Sequence, residues 1–124
     1  MKFKIDTKEK IVVFCPEVTD LDANLSADFL ATLTSLPELK GRNLILDLTL
    51  VEKFDISGVE AILTVYGHMY DNQLSCAITG LNNTLTAALK TAGDNMLNIA
   101  PTMAEAIDLV MMEELERELL DGME

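Results

Sequence analysis

Leu44-Ile45-Leu46-Asp47-Leu48, a short charged link, and then Phe54-Asp55-Ile56-Ser57-Gly58 organise the rest of the chain. The first run is apolar on both alternating faces except for Asp47, the pattern of a central strand covered on at least part of both faces. The second is an Asp-x-Ser-Gly turn opening a helical pattern, with Val59, Ile62, Leu63, Tyr66 and Met69 along one side. Asn72-Gln73 punctuates the chain, and Leu74-Ser75-Cys76-Ala77-Ile78-Thr79 reads as a further strand. Strand, helix, strand is a βαβ unit, which requires parallel strands and a right-handed crossover. The first N–H groups of its helix have no intrahelical partner and carry partial positive charge. Such a junction suits an anion, including a phosphate added to a hydroxyl.

Upstream, Phe3-Lys4-Ile5 alternates, and Ile11-Val12-Val13-Phe14-Cys15 is β-branched and aromatic up to Pro16. With the charged turn Asp6 to Lys10 between them, the two predict an antiparallel hairpin. A helix is expected at about 24–36, capped by Asp22 or Asn24. Its buried stripe would be Leu25, Phe29, Leu33 and Leu36, and Pro37 ends it. Downstream, Asn82 or Asn83 can cap a helix Thr84–Ala92 that stops at Gly93. Met96 to Ala100 predicts a short edge strand. Thr102 with Glu105 three residues later is a capping-box start for the last helix. Met103, Ile107, Val110, Met111, Leu115 and Leu119 are expected on its inner side. The fold class is α/β: a mixed sheet of four to five strands with about four helices mainly on one face. One domain is expected over residues 1–124, with an acidic C-terminal helix at about 102–120.

The chain has 124 residues, 49% of them hydrophobic, enough for a core without staples and too apolar for disorder. No window offers the run of about 18 apolar residues that a membrane span needs. Met1-Lys2-Phe3-Lys4-Ile5-Asp6 lacks the apolar block of a signal peptide, which predicts a cytoplasmic protein without membrane insertion. Nine basic against 21 acidic residues give a net charge of −12, unfavourable for nucleic acid. From Met103 to Glu124 eight acids face one base, Arg117, so this tail carries −7 of the total. A solvated helix face explains it, and so does a docking surface for a basic partner.

Catalytic sets are not evident. There is neither a Gly-x-Gly-x-x-Gly nor a Walker loop, and Ser57 lacks the Gly-x-Ser-x-Gly frame of a nucleophile elbow. The single histidine, His68, lies on the same helix as Ser57, roughly 16 Å further along the axis at 1.5 Å per residue. The two therefore cannot pair. Asp47 and Asp55 are a weak paired-carboxylate signal. Cys15 and Cys76 read as buried free thiols, and with one histidine no metal site is expected. No cofactor is expected either.

The order hairpin, helix, strand Asn43–Leu48, then Phe54-Asp55-Ile56-Ser57-Gly58-Val59 resembles the STAS domain family. Leu89-Lys90-Thr91-Ala92-Gly93-Asp94 and Pro101-Thr102-Met103-Ala104-Glu105-Ala106-Ile107 are similar to two further family segments, so the resemblance runs from about residue 3 to 112. It implies a non-catalytic interaction module like the bacterial anti-sigma-factor antagonists. Such a module binds a regulatory partner, an anti-sigma factor kinase, through Asp55, Ile56, Ser57 and Gly58. In those antagonists the serine or threonine directly after the Asp is phosphorylated, and the phosphate ends binding. Here that position is Ile56, which cannot carry phosphate. Ser57 sits one place later, where a cap is favoured over a phosphosite: either Ser57 and Glu60 form a capping box, or Asp55 is the cap and Ser57 a first-turn residue. Gly58 would allow close packing of the turn. Ile56 would be a partner contact if exposed and core if buried. The alternative is a structural STAS subunit of a transporter or of a stressosome-like assembly. A homodimer is compatible with either reading.

Overall fold

The computed structural model describes residues Met1 to Gly122; Glu124, counted above in the acidic tail, lies outside the described residues. Strands β1 (Phe3–Thr7) and β2 (Ile11–Pro16) form the expected antiparallel hairpin, with Phe3 opposite Pro16 and Thr7 opposite Val12. Strand β3 (Asp20–Leu21) is a two-residue element that the polar stretch after Pro16 did not announce. Helix α1 (Ala23–Ser35) follows, capped by Asp22, whose Oδ1 accepts the Leu25 N–H at 2.9 Å. Pro37–Leu39 is one 3₁₀ turn. Then come β4 (Asn43–Asp47), β5 (Lys53–Phe54), α2 (Ile56–Asp71) and β6 (Cys76–Thr79). Helix α3 (Asn83–Ala92), β7 (Ile99–Ala100) and α4 (Met103–Gly122) complete the order.

The main sheet runs β1-β2-β4-β6-β7. Only β1 is antiparallel; β2–β4, β4–β6 and β6–β7 are parallel, with Leu44 opposite Cys76. β4 is central, and Asn43, Leu44, Ile45 and Leu46 are all fully buried, as its unbroken apolar run requires. Alternation along the strands sorts the side chains into two cores. Val12, Phe14, Leu44, Leu46, Cys76 and Ile78 point to the face covered by α1, α2 and α3. Phe14 stacks on Phe3 and meets Phe29 of α1 edge-on. Ile11, Ile45, Ala77 and Ala100 point the other way, onto Ala106 and Val110 of α4. Three helices on one face and one on the other is the predicted layering.

Several expected positions move. In α2 the buried residues are Gly58, Ala61, Ile62, Val65 and Met69, so the inner stripe is rotated from the expected one. Cys76 is buried, whereas Cys15 is partly exposed. In α4 only Ala106 and Val110 are buried, and Leu115 and Leu119, expected inside, face solvent. The edge strand shrinks to Ile99–Ala100. Among the described residues no helix is long and apolar enough to cross a membrane.

Candidate functional site

The chain reaches α2 through a short parallel ribbon. β5 pairs with β3, Asp20 opposite Lys53 and Leu21 opposite Phe54, and the N–H groups of Glu52 and Lys53 both donate to the Thr19 carbonyl. This pairing fixes the backbone up to the residue before Asp55. Asp55 is extended (φ −89°, ψ −173°), and its Oδ1 accepts the Gly58 N–H at 3.1 Å. Of the two caps open in the sequence, Asp55 is therefore the one formed. Ile56 is the first helical residue and Ser57 the second, so Ser57 does not start a capping box with Glu60.

Gly58 is held tightly. A Cβ there would stand 2.6 Å from the Phe54 Cβ and 2.7 Å from the Leu21 carbonyl oxygen. Only glycine lets the first turn seat against the β3–β5 ribbon. The seating turns Ile56 outwards, where it is 74% exposed. Ser57, partly buried, faces a shallow groove between α1 and α2 with Ala23, Ser26 and Leu30. On the other flank, Ile56 borders a groove of about 620 Å³ between α2 and α3, lined by Phe54, Val59, Leu85, Ala88 and Ala92. Asn82 ties the start of α3 to Glu52 on its rim: its Oδ1 caps α3 by accepting the Leu85 N–H at 2.8 Å, and its Nδ2 donates to the Glu52 carbonyl at 3.0 Å. The surface lies beyond the C-terminal ends of β4 and β6, where open α/β sheets present their ligands.

The other sequence candidates do not converge on it. Asp47 accepts the Thr49 N–H and hydroxyl in its own turn, and Asp55 is engaged with Gly58, so each carboxylate serves a local bend. Gly80 sits against that first bend with φ +83°; a Cβ would meet Asp47 and the Thr49 backbone. His68 is exposed near the far end of α2, beside Lys40 and Asn72. Burial holds the Cys76 thiol well above its ordinary value, which leaves it protonated and inert. Burial, with Asp47 and Glu17 nearby, also raises the Cys15 thiol. Among the described residues no three His, Cys, Asp or Glu side chains form a metal-binding group.

A polar seam under α4 escaped the sequence reading. The Tyr70 hydroxyl donates to Glu113 Oε1 at 2.6 Å, and Asn98 Nδ2 donates to Glu113 Oε2 at 3.0 Å. Arg117 donates to Ser75 Oγ at 2.7 Å and to Asn43 Oδ1 at 3.1 Å, and Asn43 Oδ1 also accepts the Ser75 N–H. Burial pushes the Glu113 carboxyl up, but hydrogen bonds from Ser75, Tyr70 and Asn98 and the charge of Arg117 outweigh it, leaving it below the ordinary glutamate value. Burial, then the Glu113 and Tyr66 contacts, hold the Tyr70 phenol far above its usual range. No local spacing links residues 43, 70, 75, 98, 113 and 117; only the capping residues around them had a sequence signal.

A mixed five-stranded sheet with helices on both faces and an exposed loop-and-helix junction at the strand C-termini defines an α/β architecture. The STAS domain model matches residues 2–106, and the chain belongs to that family. Among solved structures, the Thermotoga maritima protein TM1081 is 20% identical with a TM-score of 0.76, over 88% of this chain and 94% of that one. Bacillus SpoIIAA in its phosphorylated form is 18% identical with a TM-score of 0.68, over 88% of this chain and 99% of that one. The murine Slc26a9 anion transporter is 13% identical with a TM-score of 0.68, over 82% of this chain but 18% of its own length. At these identities the likeness establishes the shared fold. No curated protein sequence matches the chain.

Proposed function

We propose that the protein is a non-catalytic interaction module that binds a regulatory protein through Asp55, Ile56, Ser57 and Gly58 and the start of α2. One observation carries the reading: Ile56 stands 74% exposed at the first position of α2, beside an apolar groove. An isoleucine in water contributes nothing to the free protein, whereas full burial under a partner is worth about 1.5–3 kcal/mol. The family resemblance puts the phosphorylated residue of the antagonists at this place. With isoleucine there, engagement is constitutive or controlled elsewhere, Asp55 holds the first helical turn, and Ser57 is a first-turn residue that does not act as a switch. A kinase-type anti-sigma factor is the favoured partner, supported by the fold shared with SpoIIAA, an anti-sigma factor antagonist, over 89% of this chain.

Titration calorimetry with the anti-sigma kinase encoded in the same genome tests this. The expected result is a stoichiometric complex that Ile56→Glu weakens by about tenfold or more, with an unchanged circular dichroism spectrum. Ser57→Ala should bind like the wild type, and the kinase should leave the chain unlabelled. No complex with any such kinase, or an Ile56→Glu variant that binds as tightly, refutes the reading. The match to a STAS segment of Slc26a9 supports the alternative, an assembly subunit. Light scattering distinguishes it: a clean monomer argues against a scaffold, and a defined oligomer for one.

A further inference from the structure

We propose that the outer side of α4 is a docking seam for a basic amphipathic helix of another protein. Met112, Leu115 and Leu119 are 61%, 55% and 61% exposed. Their spacing of three and four residues puts them on one stripe of the helix. Arg117 and Val110 occupy the opposite side, bound to the sheet end and buried in the second core. The seam is therefore aimed away from the protein, not loosely packed against it. It also lies beyond residue 106, where the match to the STAS domain model ends.

The pattern is a short coiled-coil seam. With Met112 and Leu119 at a positions and Leu115 at d, Glu116 falls at e and Glu118 at g, the positions that choose a partner by charge. Arg117 then falls at f, the position facing away from a seam, consistent with its place against the sheet. The charge decides the occupant. A second copy would set Glu116 and Glu118 against acids in a chain of net charge −12, in either helix orientation. An anionic lipid surface is repelled for the same reason. A helix with apolar residues at a and d and Lys or Arg at e and g satisfies both the stripe and its flanks. Glu118 already pairs with Lys10 at 3.1 Å, but that pair is exposed and readily exchanged. At the N-terminal end the stripe runs into a groove of about 380 Å³ between α4 and the β7 edge, lined by Ile99, Pro101, Leu109 and Met112. The groove is a seat for an anchoring side chain of the partner. Since α2 covers the other face of the sheet, both surfaces can be occupied at once.

Two fluorescent helical peptides of three heptads test the proposal on the full chain. Both carry Leu at a and d; one has Lys at e and g, the other Glu. By anisotropy the Lys peptide should bind about tenfold or more tightly than the Glu peptide at physiological salt. The double substitution Leu115→Ser with Leu119→Ser, which leaves every charge in place, should weaken the Lys peptide by about tenfold or more, while Ile56→Glu leaves it unchanged. Both sites of the double variant are exposed, so its melting temperature should match the wild type. If the double variant binds the Lys peptide as well as the wild type does, attraction is charge alone and the seam is refuted. If sedimentation shows a dimer that Leu119→Ser dissociates, the occupant is a second copy and the proposal is overturned.

Discussion

Gly58 carries the tightest constraint at the site, because its neighbours are a Cβ and a backbone carbonyl that have little room to move. Gly58→Ala should lower stability by about 1–3 kcal/mol, read as a lower urea midpoint with an unchanged slope. Asp55→Ala removes the acceptor of the Gly58 N–H and should cost about 1 kcal/mol in the same assay. The helix start itself was legible, since Asp, Ser and Gly in sequence are a local signal. Which residue caps was not, because Asp55 and Ser57 are both able caps. The choice falls to β5: its pairing with β3 ends at Phe54, so the chain turns helical immediately after Asp55. The two-residue strands of that ribbon are too short to show any period, which is why they were unreadable.

Helix α4 shows where element-level reading stops. Its start followed the capping box, and Thr102 Oγ1 accepts the Glu105 N–H at 3.2 Å. Its inner side did not follow hydrophobicity. The sheet offers Ile45, Ala77 and Ala100 only as far as Val110. Beyond that the helix passes the N-terminal ends of β4 and β6, where buried Asn43 and Ser75 need polar partners. Glu113 and Arg117 therefore turn inwards, and Leu115 and Leu119 turn out. Asn43→Ala should leave the Ser75 N–H and an Arg117 donor unpaired at a buried site, a loss of about 1–3 kcal/mol in thermal or urea unfolding. The pH dependence has a defined sign. Glu113 is more acidic folded than unfolded, so between the two values the unfolded state binds more protons and stability rises with pH. Its contribution is fully present above about pH 4.3, the unperturbed glutamate value, and is lost as pH falls through the lower folded value. Denaturation of Glu113→Gln across pH 2–6 should show a flatter acid limb than the wild type.

For the whole molecule, the sheet separates two surfaces. The Asp55–Gly58 junction belongs to the α1–α2–α3 side, and the outer stripe of α4 to the other. A net charge of −12 works against compactness and against self-association. Raising salt from about 0.02 to 0.5 M should therefore raise the melting temperature, because screening shortens the reach of that repulsion. A salt-independent melting temperature would mean that the charges are locally compensated. Titration of ATP or GTP should release no heat, in keeping with the missing phosphate-binding loops.

Local rules reach a long way in this chain. Alternation and apolar runs marked the strands of the main sheet, Asp22 or Asn24, Asn82 or Asn83 and Thr102 marked the helix starts, and the Leu44–Leu48 run with its following helix marked the parallel βαβ unit. The position of the junction at a strand C-terminus followed from that order. Exposure did not. Periodicity tells which residues share a side of a helix, but not how far the neighbouring sheet extends beneath it. That Ile56 stands in water, that Leu115 and Leu119 face out while Glu113 and Arg117 face in, and that β3 meets β5 all depend on contacts between segments far apart in the chain. Those contacts are made only when the sheet is assembled, so the tertiary structure alone decides them.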